Sequence, residues 1–560
     1  MSKKLIALLM ATLMLLSLAA ACGNQPTETP TPDPAPSTDP TPAPTPSTDP
    51  TPAPTPSEPE KDEKYGGDLV VVNSYVSFAV DAHFCGNTVN NSTWMQNVYE
   101  APLARSDGGE VYPLICDYDL SEDGKTLKLT VRDYYFSNGD KVTIDDVVAS
   151  LERGARNNAS FAQQYWDYLV DTKVEGDTVT YTFSQLVPTL LEGLSSLQGP
   201  YIIPKAICDK YGDTALTDVA EAIGTGCYIL KEWTPDVKIV LERNENYVPT
   251  MNDCSGPAGP RMAYPDTITY ATNSDGASRT AGIIAGDYHI GSILTEMRPY
   301  AEQMGLQRYL LANQWTHGCF FNLSENNADS PVQDVNFRKA VRAVLDCEAL
   351  MIAAINNDNP DLYILDPNPM VEANSAYYTS IIADTEWNIK DKELAKQYLA
   401  QSNYNGEEIT WLCSAGSAYY RIANIAIPML EEIGIKVKLW ACESGSHGTL
   451  RNDPASDYDI GAFEEQKAVT NPTRADLWVL GNVVGWWDSD KRDELVQTMS
   501  TTLTGSAESV QAYKDFCQLV ADEVPWIAFG HNKTTVFAQP DVVYDYQGIE
   551  AYHWNCYFVK

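Results

Sequence analysis

Six histidines, His83, His289, His317, His447, His531 and His553, are scattered along the chain without metal-ligand spacing. A site for a divalent ion needs several such ligands converging on one point. Glu464 and Glu465 are adjacent carboxylates on a loop or strand end. An acid and a base for glycoside hydrolysis must converge on one scissile bond, which adjacency in sequence does not establish. H-E-x-x-H, G-x-S-x-G and P-loop patterns are absent. Trp411, Trp440, Trp478, Trp486 and Trp487 could stack on sugar rings. With aromatics at 10% of the chain, tryptophans in helices and strands belong first to the core. The chemistry expected is holding a solute rather than converting it: no enzyme, no cofactor and no bound metal, with a surface hydrolase kept as the rival from another class.

The start of the chain carries a different chemistry. Lys3 and Lys4 precede residues 5–21, which are apolar or small and suit a signal-peptide core better than a spanning helix. Ala19, Ala20 and Ala21 before Cys22 resemble a bacterial lipobox, with alanine at 19 where leucine is commonest. That resemblance implies a signal peptide over 1–21, cleavage before Cys22 and lipidation of its thiol; an ordinary secretory signal or a membrane anchor is the alternative. "STDPTPAPTP" then occurs twice, at 37–46 and 47–56, and 14 of the 34 prolines fall within 26–59. Proline removes backbone donors and fixes φ, and the segment has almost no apolar side chain to bury. Residues 22–64 therefore read as a disordered tether, reaching on the order of 100 Å at roughly 3.1 Å per residue.

The formal net charge of −38 argues against nucleic acid, whose binding leans on Lys and Arg neutralising phosphates. Twelve cysteines include no C-x-x-C pair. With Cys22 set aside for lipid, most of the others read as small buried hydrophobes rather than a disulfide framework. In an exported protein that points to a reducing habitat.

These groups need elements to position them. "GGDLVVVNSYVSF" reads as a parallel-type core strand. Leu127, Leu129 and Val131 alternate with Lys128, Thr130 and Arg132, a half-buried strand between the turn dipeptides Asp123-Gly124 and Asn138-Gly139. Thr143 and Asp146 form a capping box that predicts a helix from near Ile144 to about Arg153. Val179, Tyr181 and Phe183 share one strand face. Phe337, Ala340, Val341, Val344 and Leu345 follow helical spacing, as do Ile422, Ile425, Ala426, Met429, Leu430 and Ile433 before a stop at Gly434 and the strand "IKVKLW". Helix, glycine and strand in that order predict an α/β lobe. About five hundred residues exceed one comfortable core, so two or three lobes are expected.

Several blocks, in order, resemble the large bacterial extracellular solute-binding proteins of oligopeptide, dipeptide and nickel ABC importers, family 5. They are "GGDLVVVNS" with "VDAHF", the long stretch "NVYEAPLARSDGGEVYPLICDYDLSEDGKTLKLTVRDYYFSNGDKVTIDDVVASLERG", and "AIGTGCYILKEWTPDVKIVLERNENY" with Cys227 at the usual proline. "RTAGIIAGDYHIG", "FFNLSENNADSPVQDVNFRKAVRAVLDCEAL", "LEEIGIKVKL", "YDIGAF" and "EVPWIAF" follow, so that the match spans residues 66–558. The resemblance implies an α/β, two-lobe, periplasmic-binding-protein-like fold of the three-domain peptide-binder type. Residues 65–105, 222–307 and 526–560 would form lobe I, 106–221 an insert on it, and 308–525 lobe II, with a hinge and an interlobe cleft. It further implies a monomeric lipoprotein on the outer face of the cytoplasmic membrane, of the Gram-positive kind, touching the membrane through its lipid alone. It would deliver an oligopeptide, or a carbohydrate or other solute, to a permease powered by ATPase subunits.

The resemblance also suggests contacts: Gly86, Asn87 and Thr88 from lobe I; Trp315, Gly318, Ser414, Ser417 and Tyr419 from lobe II; and the segment holding Phe463, Glu464 and Glu465. His317, beside Trp315, is the histidine expected nearest the cleft, in a structural hydrogen bond. Peptide-binding relatives carry an aspartate four residues before a proline, pairing with the ligand amine. Here Ala468 stands four before Pro472. A buried ammonium without a carboxylate partner costs several kcal/mol. Either Glu464 or Glu465 takes that role, or the ligand has no free amine.

Overall fold

Strand β1 (Asp68–Asn73) is the run of valines expected, with Leu69, Val71 and Val72 buried. A computed structural model describes residues 63–74, 79–84, 89–158, 161, 165–196, 199–368, 375–466, 472, 485–544 and 552–560. Cys22, the repeat segment, Gly86, Asn87, Thr88, Ala468 and Trp478 lie outside the described residues. After helix α1 (Val89–Val98) the chain builds an antiparallel sheet from β2 (Cys116–Leu120), β3 (Thr126–Val131), β4 (Leu169–Glu175) and β5 (Thr178–Phe183), in the order β2-β3-β5-β4. Leu127, Leu129, Val179, Tyr181 and Phe183 point into one core with Ile144, Val147 and Leu151 of α2 (Ile144–Asn157). The capping box is present: Asp146 N donates to Thr143 Oγ1, and Thr143 N donates to Asp146 Oδ2. The helix runs past Arg153, because Ala155 continues the apolar stripe into the same core. Leu103, Ala104 and Ala258 share that core, which fixes the four-stranded body to the flanking chain.

The chain returns through β6 (Tyr228–Thr234), β7 (Lys238–Arg243), β8 (Thr267–Thr272), β9 (Ile290–Gly291) and the long β10 (Gln307–Phe321). There follow α3 (Val335–Val344), α4 (Cys347–Ile355), β11 (Tyr363–Ile364), β12 (Glu408–Ser414), α5 (Ala418–Glu432), β13 (Lys436–Cys442) and β14 (Ile460–Gln466). Helices α6 (Asp490–Thr501) and α7 (Ala507–Glu523) precede the second long strand, β15 (Trp526–Ala538). Among the described residues these form an eleven-stranded sheet in the order β13-β12-β14-β10-β15-β9-β1-β8-β7-β6, with β11 also on β15.

The sheet serves separate cores. Leu69, Ile239, Ile268 and Ala538 belong to one; Cys319, Trp411, Ile422 and Ile527 belong to another. Antiparallel β10 and β15 run between them, paired from Gln307 with Ala538 to Phe320 with Trp526. Their register slips between Leu310 and Gln314 and again between His317 and Gly318.

The expected helical stripes are largely in place. Phe337, Ala340, Val341, Val344 and Leu345 are buried, as are Ile422, Ala426, Leu430 and Ile433. Ile425 is 39% exposed, so the buried face of α5 is narrower than the six-residue pattern implied. The left-handed φ of +100° at Gly434 turns the chain into β13, an edge strand.

Candidate functional site

Strands β12 and β14 are parallel, so their carboxyl ends share one edge. In open α/β sheets that edge is where ligands gather. β12 ends at Ser414 and the chain turns at once into α5, whose N-cap is Ser417. Ser417 Oγ accepts from Tyr420 N and donates to Ser414 O at 2.6 Å. Both serines therefore hold the turn, and Ser414 is buried.

The register of β14 on β10 sets the next layer. Trp315 stands opposite Gln466, Thr316 opposite Glu465, His317 opposite Glu464 and Gly318 opposite Phe463. Successive strand residues point to opposite faces. Glu464 thus shares a face with His317, and Glu465 shares the other with Thr316. The adjacent carboxylates do not converge on one point.

On the Glu464 face, His317 is buried and its Nε2 lies 2.7 Å from Asn532 Oδ1. That oxygen only accepts, so Nε2 carries the proton and Nδ1 is an acceptor, buried without a hydrogen-bond partner. Burial pushes the His317 pKa down against the attraction of Glu464, and the ring is neutral at neutral pH. Glu464 Oε1 lies 3.7 Å from Nε2, and its side chain keeps 38% exposure. Arg421, on the first turns of α5, donates to the carbonyls of Ala353 and Ala354 at 2.8 and 2.6 Å, at the C-terminal end of α4. Burial lowers its pKa, while Glu464 and Glu296 attract its charge. The Tyr419 ring stacks on His447 at 5.2 Å. Its hydroxyl pKa is pushed up to about 12, by burial first and then by the charge of Glu464. Trp315 is half-buried.

The opposite face is a packing face. Thr316 Oγ1 lies 2.9 Å from His531 Nδ1. Phe463 is buried in a core with Phe320, Leu412 and Trp526. A Cβ on Gly318 would come within 2.2 Å of the Phe463 ring and 2.5 Å of Ile527 O. Gly318 and Phe463, both expected at the ligand, form one close-packed contact with each other.

The structure gathers Trp315, His317, Tyr419 and Glu464 at one edge and sets Glu465 on the reverse side. Sequence reasoning missed Arg421, Asn532 and His447. Arg421 lies two residues after Tyr419 and immediately before the helical stripe that begins at Ile422, but its carbonyl partners are 67 and 68 residues away in sequence. Among the described residues no cluster of His, Cys, Asp and Glu could hold a metal ion.

Over 453 residues, 78% of this chain and 83% of its counterpart, the sequence is 24% identical to the probable peptide ABC transporter periplasmic-binding protein y4tO of Sinorhizobium fredii. Among solved structures, the ABC transporter substrate-binding protein CtaP of Listeria monocytogenes superposes with a TM-score of 0.74 at 18% identity, covering 89% of this chain and all of the other. The periplasmic binding protein DppA of Helicobacter pylori, in complex with the peptide STSA, superposes with a TM-score of 0.67 at 18% identity, covering 89% and 99%. The fold is thus the two-lobe binding-protein fold. The family model for the bacterial extracellular solute-binding proteins, family 5 middle, matches residues 110–491. With more than half of its length matched, the chain belongs to the bacterial extracellular solute-binding proteins, family 5.

Proposed function

We propose that this solute-binding protein captures an extracellular oligopeptide by its free α-amine, with Glu464 as the partner of the ammonium, and hands it to an ABC permease and its ATPase subunits. The observation that carries the reading is Glu464 itself: a half-exposed carboxylate at the carboxyl edge of the sheet, in register with a neutral, buried His317. A neutral neighbour leaves the carboxylate charge available to a cation. Arg421 is already engaged with two backbone carbonyls, so it does not close over Glu464 as a bidentate partner. The names of the Sinorhizobium and Helicobacter proteins support a peptide as the solute class.

In this reading Gly86, Asn87 and Thr88 meet the ligand from lobe I, and Trp315 and Tyr419 line the pocket from lobe II. Ser414 and Ser417 hold the turn at its rim, and Gly318, Phe463 and Glu465 support it from the opposite face of the sheet. The lobes are 65–105 with 222–307 and 526–560, carrying the insert 106–221, and 308–525. The passage of β10 and β15 between two cores supports that division. Cys22 carries lipid, and residues 22–64 tether a monomer to the cell surface. Thermal-shift titration with matched tri- to pentapeptides, free or N-acetylated, tests the reading. Free-amine peptides should raise Tm and their acetylated twins should not; equal shifts would remove the amine from recognition.

A further inference from the structure

The four-stranded body is fixed to its flanking chain, since Leu103, Ala104 and Ala258 are built into its interior. It also reaches the loop between α6 and α7, whose helices pack in the core that holds Phe320, Phe463 and Trp526. Thr504 Oγ1, in the loop between α6 and α7, donates to Pro188 O at 3.0 Å, across 316 residues of sequence. Beside that bond, the Leu186 side chain lies where a Cβ on Gly124 would stand, at 1.9 Å, and Leu503 Cδ2 lies 3.6 Å from the same point. Leu503 is 42% exposed, a large apolar side chain at a loop tip whose neighbour is this turn.

Each side of the contact is held from behind. Val187 and Leu190, flanking Pro188, are buried in the core of the four-stranded body. Gly124 takes a φ of +64°, which keeps its turn tight and leaves room for Leu186. On the other side, Gly505 N donates to the Tyr377 hydroxyl at 2.8 Å, and that oxygen lies 2.8 Å from Ser509 Oγ. Tyr377 is buried with Met499, Tyr513 and Phe516. Two preformed surfaces, each anchored in its own core, therefore meet outside the crossing strands.

We propose that residues 186–188 of the insert and 503–505 of the second lobe form a latch that favours the approached arrangement of the lobes and prolongs ligand residence. The inference rests on the two-lobe binding reading, in which lobe separation governs entry and exit, but not on which solute is bound. A neutral hydrogen bond with a small apolar contact is worth roughly a threefold to tenfold shift in such an equilibrium.

The test needs no ligand. Two fluorophores are attached through unnatural amino acids at positions 128 and 515, exposed sites on the insert and on α7, so that the native cysteines are untouched. Interdye distance distributions are then compared for the whole protein and for Thr504→Val and Leu503→Asp, with Tm recorded for each. The expected result is a threefold to tenfold loss of the short-distance population in both variants at unchanged Tm. Thr504→Val removes the hydroxyl and keeps the shape, so it remains informative if Leu503→Asp folds poorly. Unchanged or shortened distances in Thr504→Val overturn the latch, whereas failure of the acetylation experiment leaves this outcome intact.

Discussion

Single side chains at the sheet edge divide labour by strand parity. Glu464 and Glu465 differ by one residue and so face opposite sides, and only Glu464 meets His317. Removing a charged hydrogen-bond partner from a half-exposed site costs about 1.5–3 kcal/mol. Glu464→Gln should therefore weaken a free-amine peptide ~10- to 150-fold by calorimetry, with Glu465→Gln changing it less than about threefold. The reverse order would move the amine site to the Thr316 face. A second prediction concerns protons. Burial holds His553 down at about 3 and is the largest cause lowering His83, whose Nε2 donates to Tyr201 O while Nδ1 faces Arg153 Nη1. Both are neutral when folded. As pH falls through about 6.5 the unfolded chain takes up protons that the folded one refuses. Stability contributed by these rings is complete above that pH and is lost down to about 4 for His83 and about 3 for His553, at up to ~1.4 kcal/mol per pH unit for each. Urea midpoints should fall steadily from pH 7 to 5.5 to 4.5; a flat series would mean that these histidines are already charged in the native state.

At the level of strands and helices, local pattern was legible wherever neighbours in sequence are also neighbours in space. The Thr143–Asp146 box, the alternation at Leu127 and Leu129 and the stripe through Phe337 and Val341 are of that kind. The order of blocks made the two-lobe fold legible as well. What stayed hidden depends on pairing between distant segments. The spread of α5 misled at Ile425 because helical spacing says which residues share a face, not how wide the facing core is. The resemblance placed Gly318 among the ligand contacts, and sequence alone does not show that a Cβ there would meet the Phe463 ring and Ile527 O, from two other strands. Gly318→Ala should therefore destabilise by about 1–3 kcal/mol through overpacking, read as a lower denaturant midpoint. Peptide affinity of the remaining folded fraction should stay close to wild type. A normal midpoint with lost affinity would return Gly318 to the binding surface.

At the scale of the molecule, cohesion among the described residues comes from burial rather than covalent staples. The ten described cysteines are thiols rather than disulfides, eight of them buried in cores that run from the four-stranded body to the C-terminal segment. Cys413 and Cys442, on neighbouring strands, are not placed to bridge. On the parallel strands β12 and β13, Cys413 pairs with Ala441 and Ser414 with Cys442. Paired residues share a face and successive residues alternate, so Cys413 and Cys442 point to opposite sides of the sheet. Cys413 accordingly packs with Trp411 and Ile422, and Cys442 against the core of Leu412 and Tyr458. Burial also suppresses the reactive thiolate: it pushes Cys116 up to about 12 and Cys208 and Cys413 to about 11. The eight buried thiols of the folded protein should thus react with a disulfide reagent at neutral pH only slowly, limited by opening of the cores. Unfolding in guanidinium without reductant should release at least ten thiols, and two or fewer would mean that the cores are stapled after all. The ratio of the two rates measures how far packing alone protects the chain. It should fall toward one as pH drops and the buried histidines begin to draw the protein open, which ties covalent inertness to the same burial that keeps those rings neutral.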